Sequence, residues 1–120
     1  MKFGLLKPIS QLMRSGVVVT MRNGKYYMLI GREIMVRDSR DIIFAKAKII
    51  AVFENLRPFR KLLWKYSGFE SLEAWEEKAR ELNKGSLPKY IVLLKLTEKL
   101  KHDPLYGFRN ARELIEHTVG

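Results

Sequence analysis

The residues best able to do chemistry here are cations placed beside aromatic rings. Arg22 and Lys25 flank the dipeptide Asn23-Gly24, a spacing that lets two cations clamp one phosphate across a tight turn. Lys46 and Lys48 alternate with Phe44 along one β-rich run, so two ammonium groups and a flat ring fall on one strand face. Arg57, Arg60, Lys61 and Lys65 recur at three- and four-residue spacing, one side of a helix. Cations for phosphates and rings for bases are the two needs of single-stranded nucleic-acid contact. Each set has a plainer reading, a solvated outer strand face or a solvated helix face, and for any one residue of the helical set that is the favoured reading. His102 and His117 stand alone, without Cys or acidic partners at metal spacing, and read as surface residues. The absence of cysteine excludes a thiol nucleophile, a disulfide scaffold and Cys-based zinc or iron–sulfur sites. No glycine-rich phosphate loop and no Gly-x-Ser-x-Gly elbow occurs, so nucleotide hydrolysis and elbow-type esterase chemistry have no support, and neither a metal nor a cofactor is expected.

The elements that carry these residues belong to a chain of 120 residues, the length of one domain. The formal net charge is +10, and all of the excess lies in residues 1–65, with 14 basic and 4 acidic residues; residues 66–120 are balanced at nine of each. Such segregation points to one basic face and a polyanionic partner. Apolar runs such as Val17–Val19 and Tyr90–Leu94 are far too short to span a membrane, and Met1–Ser10 lacks a secretory h-region, so a cytoplasmic protein without a membrane partner is expected.

Periodicity gives the order of elements. Ile9–Arg14 reads as a short helix stopped at Ser15-Gly16. Val17–Met21 is a buried strand, and Asn23-Gly24 predicts a hairpin to Lys25–Ile30. Glu33–Arg37 and Ile42–Phe53 follow as strands. In the second, Ala45, Ala47, Ile49, Ala51 and Phe53 share one face, while Phe44, Lys46, Lys48, Ile50 and Val52 share the other. Pro58 opens a helical block through Tyr66, and Ser71 caps a helix whose apolar stripe is Leu72, Trp75, Ala79 and Leu82, ended by Gly85. Tyr90–Thr97 is a strongly apolar strand expected at the sheet centre, and a further helix is expected from about residue 110. Strands joined by short turns, with helices between them, predict an α+β domain with a curved sheet or barrel.

Four stretches in this order resemble the ASCH (activating-signal-cointegrator homology) domain of the PUA-like superfamily. They are Leu12-Met13-Arg14-Ser15-Gly16 leading into Val17–Arg22; Leu29–Arg37; Ala45–Val52; and Gly68-Phe69-Glu70-Ser71-Leu72-Glu73 with the later strand Lys89–Lys95. The resemblance covers residues 1–98 and leaves 99–120 as a C-terminal extension. It implies a small PUA-like β-barrel flanked by helices and RNA binding in a cleft beside it. Ser15, Gly16 and Thr20 fall where the family's cleft lies; their plainer roles are a helix cap and an ordinary strand threonine. One branch of the family hydrolyses acylated cytidines with a Lys, a Thr and a Glu. Here the Thr is kept as Thr20, but the Lys position falls on Val17 or Val18 and the Glu position on Ser67, neither of which can do the proton chemistry. The family's Gly-Asp turn reads Gly31-Arg32, an acid replaced by a base.

These readings combine into one expectation: RNA bound in a basic cleft by Arg14, Ser15, Gly16, Thr20, Arg22, Lys25, Arg37, Lys46 and Lys48, with no catalytic residue. Non-specific DNA contact follows from the same charge. An acylcytidine amidohydrolase centred on Thr20, and a module for an acidic protein partner, are the alternatives.

Overall fold

A computed structural model describes residues 1–100. It is an α+β arrangement in which a four-stranded antiparallel sheet, in the order β1 (Val17–Arg22), β4 (Tyr90–Lys99), β3 (Ile43–Glu54), β2 (Glu33–Arg37), separates two apolar cores. The sheet is open. His102, His117 and the helix expected from about residue 110 lie outside the described residues. Among those described, no helix is long and apolar enough to cross a membrane.

Helix α1 spans Leu6–Ser15 and buries Pro8, Ile9, Leu12 and Met13. It starts earlier than expected, because Pro8 lies in the first turn, where its missing N–H removes no helical bond. Gly16 ends it at φ 81°, its N–H bonded to the Leu12 carbonyl at 2.8 Å; an L side chain is disfavoured there. Strand β1 (Val17–Arg22) follows at once.

The expected hairpin does not form. Residues Tyr26–Leu29 make a 3-10 turn. Its backbone is satisfied locally, Tyr26 N–H bonding to the Gly24 carbonyl at 2.9 Å and Met28 N–H to the Lys25 carbonyl at 3.1 Å. Tyr26 and Leu29, three apart, lean on the first core. The partner of β1 is β4 (Tyr90–Lys99), in register from Val17↔Lys95 to Arg22↔Tyr90. The more apolar strand won the central place, where both faces of its residues 91–94 are covered.

Strand β2 (Glu33–Arg37) pairs with β3 (Ile43–Glu54), and β3 with β4. The simple alternation expected of β3 is broken by bulges. The β3–β4 register shifts between Ile49 and Ala51, so Ala47, Ile49 and Val52 serve the first core while Phe53 serves the second. Phe44 is fully buried in the first core, together with its neighbour Ala45, and is not the exposed stacking ring expected beside Lys46. The outer edge of β2 is covered by the first residues of the chain: Arg37 N–H bonds to the Met1 carbonyl and Phe3 N–H to the Arg37 carbonyl, both at 2.8 Å.

On the second face lie α2 (Arg57–Leu63) and α3 (Leu72–Leu82). Ser71 caps α3 by accepting the Ala74 N–H at 3.0 Å. Arg60, expected on a basic helix face, is instead buried. Its Nε meets Glu76 Oε2 at 2.7 Å, and its Nη1 donates to the carbonyl and Oδ1 of Asn55 at 3.0 and 2.9 Å. A charge can be buried only with such partners, and this network locks α2 to α3. Arg57, Lys61 and Lys65 remain exposed.

Candidate functional site

Strand β1 is an edge strand, and a cleft of about 340 Å³ runs along its free side. One wall is the N-terminal stretch around Phe3, with Pro8 of α1. The other is α3, with Trp75, Lys78, Ala79 and Leu82, and the turn carrying Ser67 and Phe69 closes the cleft. That turn is held hard against α1. Gly68 has φ 89°, and a Cβ on it would stand 2.4 Å from the Lys7 carbonyl oxygen, so only glycine fits. Lys7 stacks over the Phe69 ring at 5.3 Å and pairs with Glu70 at 2.9 Å, which ties the turn to α1. Ser67 is fully buried; its hydroxyl donates to the Trp64 carbonyl at 2.5 Å and accepts from Phe69 N–H at 3.1 Å. It shapes the turn and has no proton to exchange with a ligand.

Among the described residues three cations line the cleft, Lys2, Arg22 and Lys78, and no Asp or Glu does. Lys2 reaches Asp41 at 3.3 Å and Lys78 reaches Glu81 at 3.1 Å, both solvent-exposed pairs that hold their lysines weakly. Arg22 has no carboxylate partner among the described residues. Its Nε donates to Thr20 Oγ1 at 3.2 Å, and its guanidinium lies 4.9 Å from the Phe3 ring centre, a cation–π contact. Burial pulls its pKa below the ordinary value, with nearby Tyr26 opposing; an arginine keeps its charge through such a shift. Nη1 and Nη2 have no protein acceptor among the described residues, so a charged fork is held in a half-buried place with its donors free for an anion.

Of the nine residues expected at the site, Thr20 and Arg22 line this cleft. Ser15 and Gly16 lie at the opposite end of β1 and have structural bonds. The Ser15 hydroxyl sits 2.8 Å from the Gln11 carbonyl and 2.9 Å from that of Val17, and the Gly16 carbonyl accepts from Leu96 N–H at 2.7 Å. Arg14 and Lys25 are exposed on α1 and on the loop after β1. Arg37 is exposed on β2, where its backbone holds residues 1–3. Lys46 and Lys48 share an open stretch of the sheet with Lys95; Lys46 pairs with Glu98 at 3.5 Å, and Lys48 stands opposite Lys95 in register. The basic residues thus form two groups, one in the cleft and one on the sheet face, rather than one hollow.

Sequence reasoning missed Lys2, Phe3 and Lys78. The adjacent cation and ring of Lys2-Phe3, and the three-residue spacing of Trp75 and Lys78, were visible signals, but nothing local says that the chain start and α3 flank the same strand. No family model, curated protein or solved structure matches the chain.

Proposed function

We propose that the cleft along β1 binds single-stranded RNA, as an ASCH-type, PUA-like domain of a cytoplasmic protein would. The observation that carries this is Arg22: a half-buried guanidinium over Phe3 whose four Nη–H donors have no acceptor among the described residues, in a cleft whose charged lining residues, among those described, are all cations. Phosphate oxygens satisfy such a fork, and Phe69, a partly exposed ring of the lining, suits the face of a base. The barrel of the proposed family has support in residues 1–3, which hydrogen-bond to β2 and bring Phe3 against Arg22 of β1, so that a short stretch spans the two sheet edges. The acylcytidine hydrolase reading needs a carboxylate base, and among the described residues none lines the cleft; the binding reading is therefore preferred. DNA contact is the non-specific part of the same charge.

The test is fluorescence anisotropy with a labelled single-stranded RNA of mixed sequence. Arg22→Met keeps the apolar stem over Phe3 and removes the charge. A loss of fivefold or more in affinity, with an unchanged melting temperature, is expected. Equal affinity for the two proteins refutes the reading.

A further inference from the structure

The floor of the cleft carries a second set of unsatisfied groups, and these are backbone. In an antiparallel ladder alternate residues turn their N–H and C=O toward the neighbour strand, and those between turn them away. The bond from Leu96 N–H to the Gly16 carbonyl sets the phase. With the register sum fixed from Val17↔Lys95 to Arg22↔Tyr90, Val18, Thr20 and Arg22 face β4, and Val17, Val19 and Met21 present their backbone groups to the open edge. Val17 is provided for: its carbonyl lies within reach of Ser15 Oγ at 2.9 Å and Gln11 Nε2 at 3.2 Å, and its N–H reaches Ser15 Oγ at 3.3 Å. Val19 and Met21 line the cleft, and among the described residues no protein group bonds to their N–H or C=O. Both residues are buried, main chain included, Val19 at 1% and Met21 at 9% exposure, and both belong to the second core, so a ligand reaches their main chain only from the cleft they line. Unsatisfied backbone in such a setting is costly, so a partner is called for. Beside them Thr20, 9% exposed, accepts from Arg22 but has no acceptor for its own proton among the described residues.

Each outward residue offers an N–H and a C=O side by side, pointing the same way. The Watson–Crick edges of the bases carry the complementary motif, a donor next to an acceptor. We propose that the cleft reads one unstacked nucleobase edge-on through the main chain of Val19 and Met21, its ring between the apolar walls and its phosphates on Arg22, Lys2 and Lys78. This rests on the RNA reading above and adds the chemical group recognised. Two observations favour a base over an added peptide strand. The free edge is only two outward residues long, closed at one end by Ser15 and Gln11 and at the other by Asn23, whose side chain bonds to Asn83 at 2.9 Å and to Lys89 N–H at 3.1 Å. The volume, about 340 Å³, is at the lower end for small-molecule clefts, room for one nucleotide.

The experiment is amide NMR of ¹⁵N-labelled full-length protein titrated with the RNA hexamers rA6, rC6, rU6 and r(GU)3, an abasic hexamer, and an extended valine-rich peptide. With at least one hexamer the Val19 and Met21 amides are expected to shift and to exchange with solvent at least tenfold more slowly. The abasic hexamer is expected to move the signals of Arg22, Lys2 and Lys78 and to leave the Val19 and Met21 amides unchanged. If hexamers bind in an Arg22-dependent way and both amides stay unchanged, the inference fails and the RNA reading stands. If no hexamer binds, both fail. Protection of the two amides by the peptide and not by any hexamer overturns the inference in favour of strand addition.

Discussion

The salt dependence of RNA affinity separates the cleft from the wider basic surface. Each phosphate neutralised on a single strand contributes about 0.7 to the slope of log affinity against log salt. The cleft holds three cations, Lys2, Arg22 and Lys78. Binding there gives a slope near −2, so raising salt from about 50 to 200 mM weakens affinity about 18-fold. Arg22→Met leaves two contacts, a slope near −1.4 and a fall of about sevenfold over the same range. If RNA instead engaged Arg14, Arg22, Lys25, Arg37, Lys46 and Lys48 together, the slope would approach −4 and the loss would be several hundredfold. Anisotropy titrations at four salt concentrations, on wild type, Arg22→Met and Lys48→Met, measure all of this. Lys48→Met, on the sheet face, is expected to leave the slope at about −2. A wild-type slope near −4, or an unchanged slope in Arg22→Met, refutes the assignment to the cleft.

Other expectations concern the scaffold. Glu76→Leu strands the buried Arg60 charge and is expected to cost about 3–5 kcal/mol in urea unfolding, while Arg57→Ala, on the exposed face of α2, is expected to change stability by less than about 0.5 kcal/mol. Gly68→Ala forces a side chain into positive φ and against the Lys7 carbonyl; a loss of at least about 2 kcal/mol is expected by thermal melting, with weaker RNA binding because Phe69 is displaced. At Asp38, burial raises the carboxyl pKa, but the N–H groups of Arg40 and Ile42 and the Arg40 guanidinium outweigh it, so the net shift is downward. A depressed pKa stabilises the fold above about pH 4, the ordinary aspartate value, and that contribution is lost as pH falls through the folded-state value. The stability gap between wild type and Asp38→Ala is therefore expected to be full at pH 6 and to shrink steadily below pH 4 in denaturation series.

What could be read from the sequence was what depends on neighbours in the chain. The stop at Gly16, the cap at Ser71, the stripe of Leu72 and Trp75 and the apolar β4 all follow from local composition and period. What could not be read depends on distant pairing. Asn23-Gly24 has the composition of a hairpin turn, yet β4 competes for β1 from nearly 70 residues away and wins by its apolar content. Arg60 carries the same local signal as Lys61; only the placement of Glu76 and Asn55 decides that one is buried and the other solvated. The bulge of β3 against β2, where Val36 pairs with Ala45 and Arg37 with Ile43, buries Phe44 and Ala45 together, where strict alternation places them on opposite faces. Thr20 and Arg22 stood out through their spacing and the family resemblance, while the cleft needs α3 and the chain start as walls, and those come together only in three dimensions.

The stretch Met1–Phe3 has a second effect. An uncovered flank of a sheet is a template on which another copy can add itself, and these three residues shield β2 from that while setting Phe3 under Arg22. Protection of the β2 edge and the seating of the cleft arginine therefore hang on one short piece of chain. Damage to it would produce two defects at once, sticky molecules and blunted recognition, although the two lie on opposite margins of the sheet.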